Sequence, residues 1–222
     1  MPSSFGHGRY RGGASVCIEL ECPISQVTIT VRGLERCRFQ PWGMQGGNPG
    51  RSGETWLVRA GEATALGHVG VLTMQRGDVL RMVSPSGGGF GDPVTRPVAL
   101  VLEDVTNRML DESEAAEIYG VVIRDGVLDS PATTRRRAEM AAKQTQMPPV
   151  THGPARREYE AVWPTEASVA FANAVLEAPR GLRTAVQQEA RAALAAKPSP
   201  LNAVIVSDAV AASVRRMQAP RV

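Results

Sequence analysis

Residues 84–93 read SPSGGGFGDP, and the chain changes character across them. Upstream, β-branched runs alternate with glycine turns; downstream, alanine, glutamate and arginine recur at helical spacing. Four glycines stand within residues 87–91. A glycine either carries the backbone through positive φ or lets another group approach it closely, and both readings stand at this point. A glycine-rich stretch between strand and helix also invites comparison with phosphate loops. It lacks the GK[ST] of a P-loop, and Pro93 interrupts the backbone donors before a GxGxxG can form. The residues favour a structural corner over a loop lining a neighbouring site or a direct phosphate site.

Upstream, ASVCIELEC and SQVTITVRG alternate with near period 2 on either side of Pro23, which predicts an antiparallel hairpin or meander. Val27, Ile29 and Val31 fall on one face. Residues 34–39 read as a third short strand, and residues 54–59 and 69–74 as two more. Gln75-Arg76-Gly77-Asp78 has the turn chemistry to return the chain through residues 79–83. PWGMQGGNPG, residues 41–50, forbids regular structure by its glycines and prolines. Trp42 either plugs the core from this loop or belongs to a substrate-facing or partner-facing surface. The opening MPSSFGHGRYRGG contains nothing that packs by itself and reads as an internal loop exposed by truncation.

Downstream, Val98, Leu102 and Val105 predict a helix just beyond Pro97. Asp111 with Glu114 forms the capping box of a second helix, ended by Gly120. Asp125-Gly126 signals a hairpin turn between residues 121–124 and 127–129. Ser130-Pro131 starts a helix reaching Lys143. QTQMPPVTHGPA, residues 144–155, is a polar linker. Three alanine-rich helices follow, over residues 165–177, 180–196 and 201–217, the middle one with Leu182, Val186, Ala190 and Leu194 on a stripe. The expected fold is α+β: an antiparallel β-rich N-terminal part to about Met82 and a helical part from Pro97. As domains, residues 1–143 form a β-rich core with closing helices, 144–155 the linker and 156–222 a helical tail.

With 222 residues, 43% of them hydrophobic, the chain can bury a sizeable core. Twenty-five basic and twenty-two acidic residues, net +3, are interspersed, so no nucleic-acid signature stands out, and Arg135-Arg136-Arg137 reads as a solvated face. Three cysteines, none in a CxxC, fit a reducing cytoplasm. No apolar run reaches membrane-spanning length and no signal-peptide core opens the chain. His7, His68 and His152 stand far apart, which argues against a metal centre within this chain. A GxSxG elbow is absent. In HGRYRGG, Arg11 either clamps a carboxylate or phosphate through its guanidinium or sits as a solvated or subunit-contacting residue. Asp92 is a general base, a ligand-supporting residue or a turn-former before Pro93.

Taken in order, GRYRGG, PWGMQGGNPG, the Gly77-Asp78 pair, PSGGGFGDP with Arg96 and LEDV, and SEAAEIYGVV resemble the C-terminal half of the hydantoinase B/oxoprolinase family. That family includes 5-oxoprolinase and N-methylhydantoinase and is related to acetone and acetophenone carboxylase subunits. REYEAVWP and LEAPRGLR look like a tail found on some members. The resemblance implies ATP-dependent opening of a cyclic amide or imide. An A-like subunit binds ATP and phosphorylates the ring carbonyl, and the B-type component helps hydrolyse or transfer the activated intermediate. It implies no cofactor bound by this chain alone, with ATP and a divalent metal in the complete complex. The implied partners are the A-like subunit and a polypeptide carrying the missing metal-binding N-terminal half, without which the chain is inactive. Arg11, Gly12, Gly13, Gly46, Gly47, Gly88, Gly89, Gly91 and Asp92 match family motifs and, with Trp42, are the substrate- or interface-facing candidates; no catalytic role is assigned. The alternative is a non-catalytic assembly or regulatory module derived from that scaffold, docking through its tail.

Overall fold

The computed structural model describes residues 1–30, 36–66, 70–143 and 147–219. The chain forms two compact units, Met1–Ala155 and Arg156–Val222.

The first unit is β-rich at its start. Its strands are β1 (Cys17–Glu21), β2 (Gln26–Thr30), β3 (Gly43–Met44), β4 (Glu54–Arg59), β5 (Glu62–Ala65), β6 (Val71–Gln75) and β7 (Val79–Val83). The pairing is antiparallel, as expected, but β1 and β2 do not form a hairpin. β1 joins a four-stranded sheet in the order β1-β7-β4-β5, with Ile18 opposite Met82, whereas β2 pairs with β6 in a separate sheet, Ile29 opposite Leu72. The reason lies at the bend. Cys22 donates its N–H to the Asp78 carbonyl (2.8 Å) and Gly77 donates to the Cys22 carbonyl (2.9 Å), so both chain segments change sheets together. Alternation fixes which face a side chain takes, not which strand lies beside it.

Residues 75–78 do turn, with Gly77 at φ +84°, but they pass the chain to the other sheet. Asp78 is buried there, accepting from Arg59 Nε (3.0 Å), Arg59 Nη2 (2.6 Å) and the Gln75 N–H (2.8 Å). The Arg59 guanidinium and then the Gln75 amide hold its carboxyl down at about 2. Because the folded value lies below the unfolded one, near 3.9, the stabilisation is present above about pH 4 and is lost as pH falls towards 2. Asp78→Asn is expected to flatten the pH dependence of the melting temperature between pH 4 and 2; an unchanged slope refutes this role for Asp78.

Residues 36–39 form turns and bends rather than a strand, while Val31, residues 34–35, His68, Val69 and residues 144–146 lie outside the described residues. The opening segment packs after all: Phe5 is buried with Val101, Leu110, Ala115, Tyr119, Val121 and Ile123. Those residues come from α1 (Val98–Thr106), α2 (Glu112–Ile118) and the chain around them. The α2 capping box is complete, Asp111 Oδ1 accepting from the Glu114 N–H (2.7 Å) and Glu114 Oε2 from the Asp111 N–H (3.1 Å). β8 (Ile123–Arg124) and β9 (Val127–Leu128) close on Asp125 and Gly126, both at positive φ. α3 (Ser130–Lys143) is started by Asp129, whose Oδ1 accepts from the Ala132 N–H, and not by Ser130. β10 (Val150–Thr151), within the expected linker, pairs with β3, so the 41–50 loop contains regular structure after all.

The second unit is helical: most of α4 (Pro154–Val162), then α5 (Thr165–Glu177), α6 (Arg183–Leu194) and α7 (Ala203–Gln218). Its core holds Phe171, Val186, Ala190, Leu194, Leu201, Val206 and Val210, so three members of the expected stripe are buried. Among the described residues no helix is long and apolar enough to cross a membrane.

Candidate functional site

Three glycine-rich segments, residues 6–13, 41–50 and 84–93, interlock main chain against main chain. Gly6 donates to the Gly87 carbonyl (2.8 Å), Gly87 to Gly13 (2.9 Å), Gly89 to Asn48 (2.9 Å) and Asn48 to His7 (2.7 Å). Tyr10 and Phe90 exchange both backbone hydrogen bonds, and Met44 donates to Gly89 while Gly91 donates to Met44. The packing is so close that a Cβ on Gly12, Gly47, Gly88 or Gly89 would lie under 3.0 Å from a backbone carbonyl of a neighbouring segment. Close approach is therefore what the glycine stretch is for; Gly91 alone within it turns through positive φ.

A charged and aromatic layer ties this cage to the helices. Asp104, near the end of α1 and buried, binds Arg11 Nε through Oδ1 (2.9 Å) and Arg96 Nη2 through Oδ2 (2.9 Å). Arg96 Nη1 donates to the Arg9 carbonyl (3.1 Å), and Arg137 of α3 donates to the carbonyls of Arg96 and Tyr119. The Arg11 guanidinium also lies 4.7 Å from the Phe5 ring centroid. His7 Nδ1 sits 3.0 Å from the Tyr119 hydroxyl. Burial lowers the His7 value, against a smaller upward pull from Glu114, and burial pushes Tyr119 to about 12. Both are neutral at pH 7, so the pair is a hydrogen bond holding cage to helix rather than a charged relay.

One open groove of about 540 Å³ borders the cage. Gly46, Asn48 and Asp92 form its cage side, and Glu117, Arg136, Glu139 and Lys143 of α2 and α3 give the opposite wall two carboxylates and two cations. Asp92 itself ends the glycine stretch, its Oδ1 accepting from the Val94 N–H (2.9 Å) in the turn that Pro93 begins. The cage is a poor fit for nucleotide phosphates, because the N–H groups of Gly87, Gly89, Phe90 and Gly91 all donate to backbone carbonyls. Among the described residues no three His, Cys, Asp or Glu side chains cluster as metal ligands.

All three interlocking segments lie inside one match: residues 1–93 fit the family model for hydantoinase B/oxoprolinase. Over residues 1–93 the chain is similar to the hydantoinase B/oxoprolinase family. The caprolactamase subunit beta of Pseudomonas jessenii is 38% identical over 145 residues, 62% of this chain and 25% of that one. An uncharacterised protein of Methanocaldococcus jannaschii is 30% identical over 142 residues, 60% of this chain and 24% of that one. The crystal structure of the ATP-dependent caprolactamase from Pseudomonas jessenii aligns with 62% of this chain and 25% of its own, at 32% identity and TM-score 0.46. The chain spans about a quarter of the length of these curated relatives.

Within this matched segment the candidate residues fall into distinct places. Gly12, Gly47, Gly88 and Gly89 are cage positions, and Gly13 lies beside them with open space where a Cβ would stand. Gly46 and Asp92 reach the groove, and Arg11 is drawn to Asp104. Trp42 does not plug the core: it is 47% exposed, with the Arg36 guanidinium 4.9 Å from its ring centroid. LEDV and Arg96 both stand in the family-like motif, but their local sequence does not state that Asp104 and Arg96 pair. The available signal was an acid one turn beyond Val101, on the apolar stripe of α1, where only a paired charge is tolerated.

Proposed function

We propose that this chain is a cytoplasmic component of an ATP-dependent hydrolase of cyclic amides or imides, acting on a lactam, 5-oxoproline or a hydantoin. It works with an ATP-binding A-like subunit and with a polypeptide supplying the remaining length of its relatives, which also brings the divalent metal site. The observation that carries this reading is the hydantoinase B/oxoprolinase match over the whole glycine cage, supported by the caprolactamase subunit beta relative. Exposed apolar side chains support the need for partners. Val16, Ile18 and Leu20 lie on one face of the edge strand β1 and its approach, and Trp42, Met44, Tyr10 and Phe90 rim the cage. In this assembly Gly46 and Asp92 face substrate or a partner through the groove, Trp42 faces a partner, and Arg11 with the other glycines serves the scaffold.

The test is co-expression with the proteins encoded beside it, followed by assay of the purified complex on 5-oxoproline, hydantoin and caprolactam with and without ATP. Ring opening that requires both ATP and this chain is expected, and Ile18→Lys is expected to reduce co-purification at least tenfold. A complex that forms and opens no ring favours the assembly-module reading; no complex overturns both.

A further inference from the structure

The helical unit carries a pocket that the hydrolase reading does not use. It has a volume of about 300 Å³, at the small end for ligand sites, and is walled by Tyr159, Trp163, Phe171, Val175 and Leu176, with Gln187 and Arg191 of α6 at its edge. The aromatic walls are ordered by one another. Trp163 stacks on Tyr159 (centroids 6.2 Å apart, planes at 8°) and meets Phe171 edge-on (5.3 Å, 82°).

Arg191 sets the chemistry. Its guanidinium carbon lies 5.3 Å from the Trp163 centroid and 5.2 Å from that of Phe171, so two ring systems position one cation beside an apolar cavity. Among the described residues no carboxylate lies within ion-pair distance of it, whereas Arg156 and Arg216 of the same unit pair with Glu160 and Glu189. One turn away on its own helix stand Gln187, Gln188, Leu194 and Ala195, none of them charged. A guanidinium held over aromatic rings keeps in-plane N–H groups for a planar anion, and a carboxylate matches that fork in two bonds. Around it the lining is mainly apolar, which suits a hydrocarbon or aryl body, and the exposed Arg191 keeps the charged end of a ligand at the solvent side.

We propose that this pocket binds a small molecule with an apolar body and a terminal carboxylate, the body among Tyr159, Trp163, Phe171 and Leu176 and the carboxylate on Arg191. The proposal stands independently of the hydrolase reading. It is tested by titrating the full chain with octanoate and, separately, with octan-1-ol, which keeps the hydrocarbon and lacks the charge. Binding is followed by calorimetry and by the indole N–H resonance of Trp163, assigned through Trp163→Phe. Saturable octanoate binding that moves this resonance is expected, with octan-1-ol at least tenfold weaker. Arg191→Gln should remove that preference and Arg191→Lys should keep part of it, the circular dichroism of both matching the parent. Absence of saturable binding in the millimolar range, equal affinity for the two probes, or an undiminished preference in Arg191→Gln overturns the proposal.

Discussion

Gly12→Ala is expected to destabilise the Met1–Ala155 unit by more than about 3 kcal/mol, while Gly13→Ala stays within about 0.5 kcal/mol of the parent. The two residues are adjacent and neither has positive φ, so conformational strain does not separate them. What differs is space. A Cβ on Gly12 would be driven into the Gly87 backbone, and one on Gly13 would meet nothing within 4 Å. A flexible side chain could rotate away from the intruding methyl; a peptide plane cannot. Gly87 is fixed on both sides, accepting from Gly6 and donating to Gly13, so relieving the clash breaks cage hydrogen bonds as well. For a unit of this size the loss corresponds to a fall in melting temperature of roughly 6–12 °C or more. Scanning calorimetry on both variants checks it, and equal melting temperatures would show that the interlocked cage does not hold the fold.

The sequence made most of the helices readable because their signals are local, whereas α4, over a stretch taken only as a tail motif, was not expected. A capping box lies within four residues, an Asp-Gly turn within two, and α5 covers the range its spacing predicts. Strand identity was local too, but strand partnership was not: β1 pairs with β7, far along the chain, and nothing in CIELE states that. The glycine segments were conspicuous one by one. Glycine has no side chain to carry a pattern, so their mutual contact across residues 6, 12, 47 and 89 left no periodicity to read. Trp42 shows the opposite limit, a large apolar residue whose composition suggests the core and whose loop leaves it exposed.

The family match and the groove divide between different stretches of chain. Residues 1–93 supply the cage, which is scaffold by its geometry, and Gly46, Asn48 and Asp92 at the groove's near side. Glu117, Arg136, Glu139 and Lys143 come from α2 and α3, beyond the residues that fit the family model. The groove is thus built jointly by the glycine cage and by charged side chains of the two helices that pack beside it.

The link between cage and helices rests on Asp104, and Asp104→Leu is expected to cost about 3–5 kcal/mol. The aspartate is the shared counter-ion of two arginines, and its loss leaves both cations behind. They differ in escape. The Arg11 side chain is 28% exposed and can turn to water, but Arg96 is 8% exposed and its Nε already lacks an acceptor. The penalty is therefore chiefly that of Arg96 buried without its anion. Arg11→Ala, which leaves the Arg96–Asp104 pair intact, should cost only about 1 kcal/mol. The discriminating measurement is the double variant Asp104→Leu/Arg96→Met. Removing both charges should restore more than half of what Asp104→Leu loses, the remainder reflecting the Arg96 hydrogen bond to the Arg9 carbonyl. If the double variant is no more stable than Asp104→Leu, the loss arises from a packing defect at α1, and the ion pair is not what fastens the glycine cage to the helices.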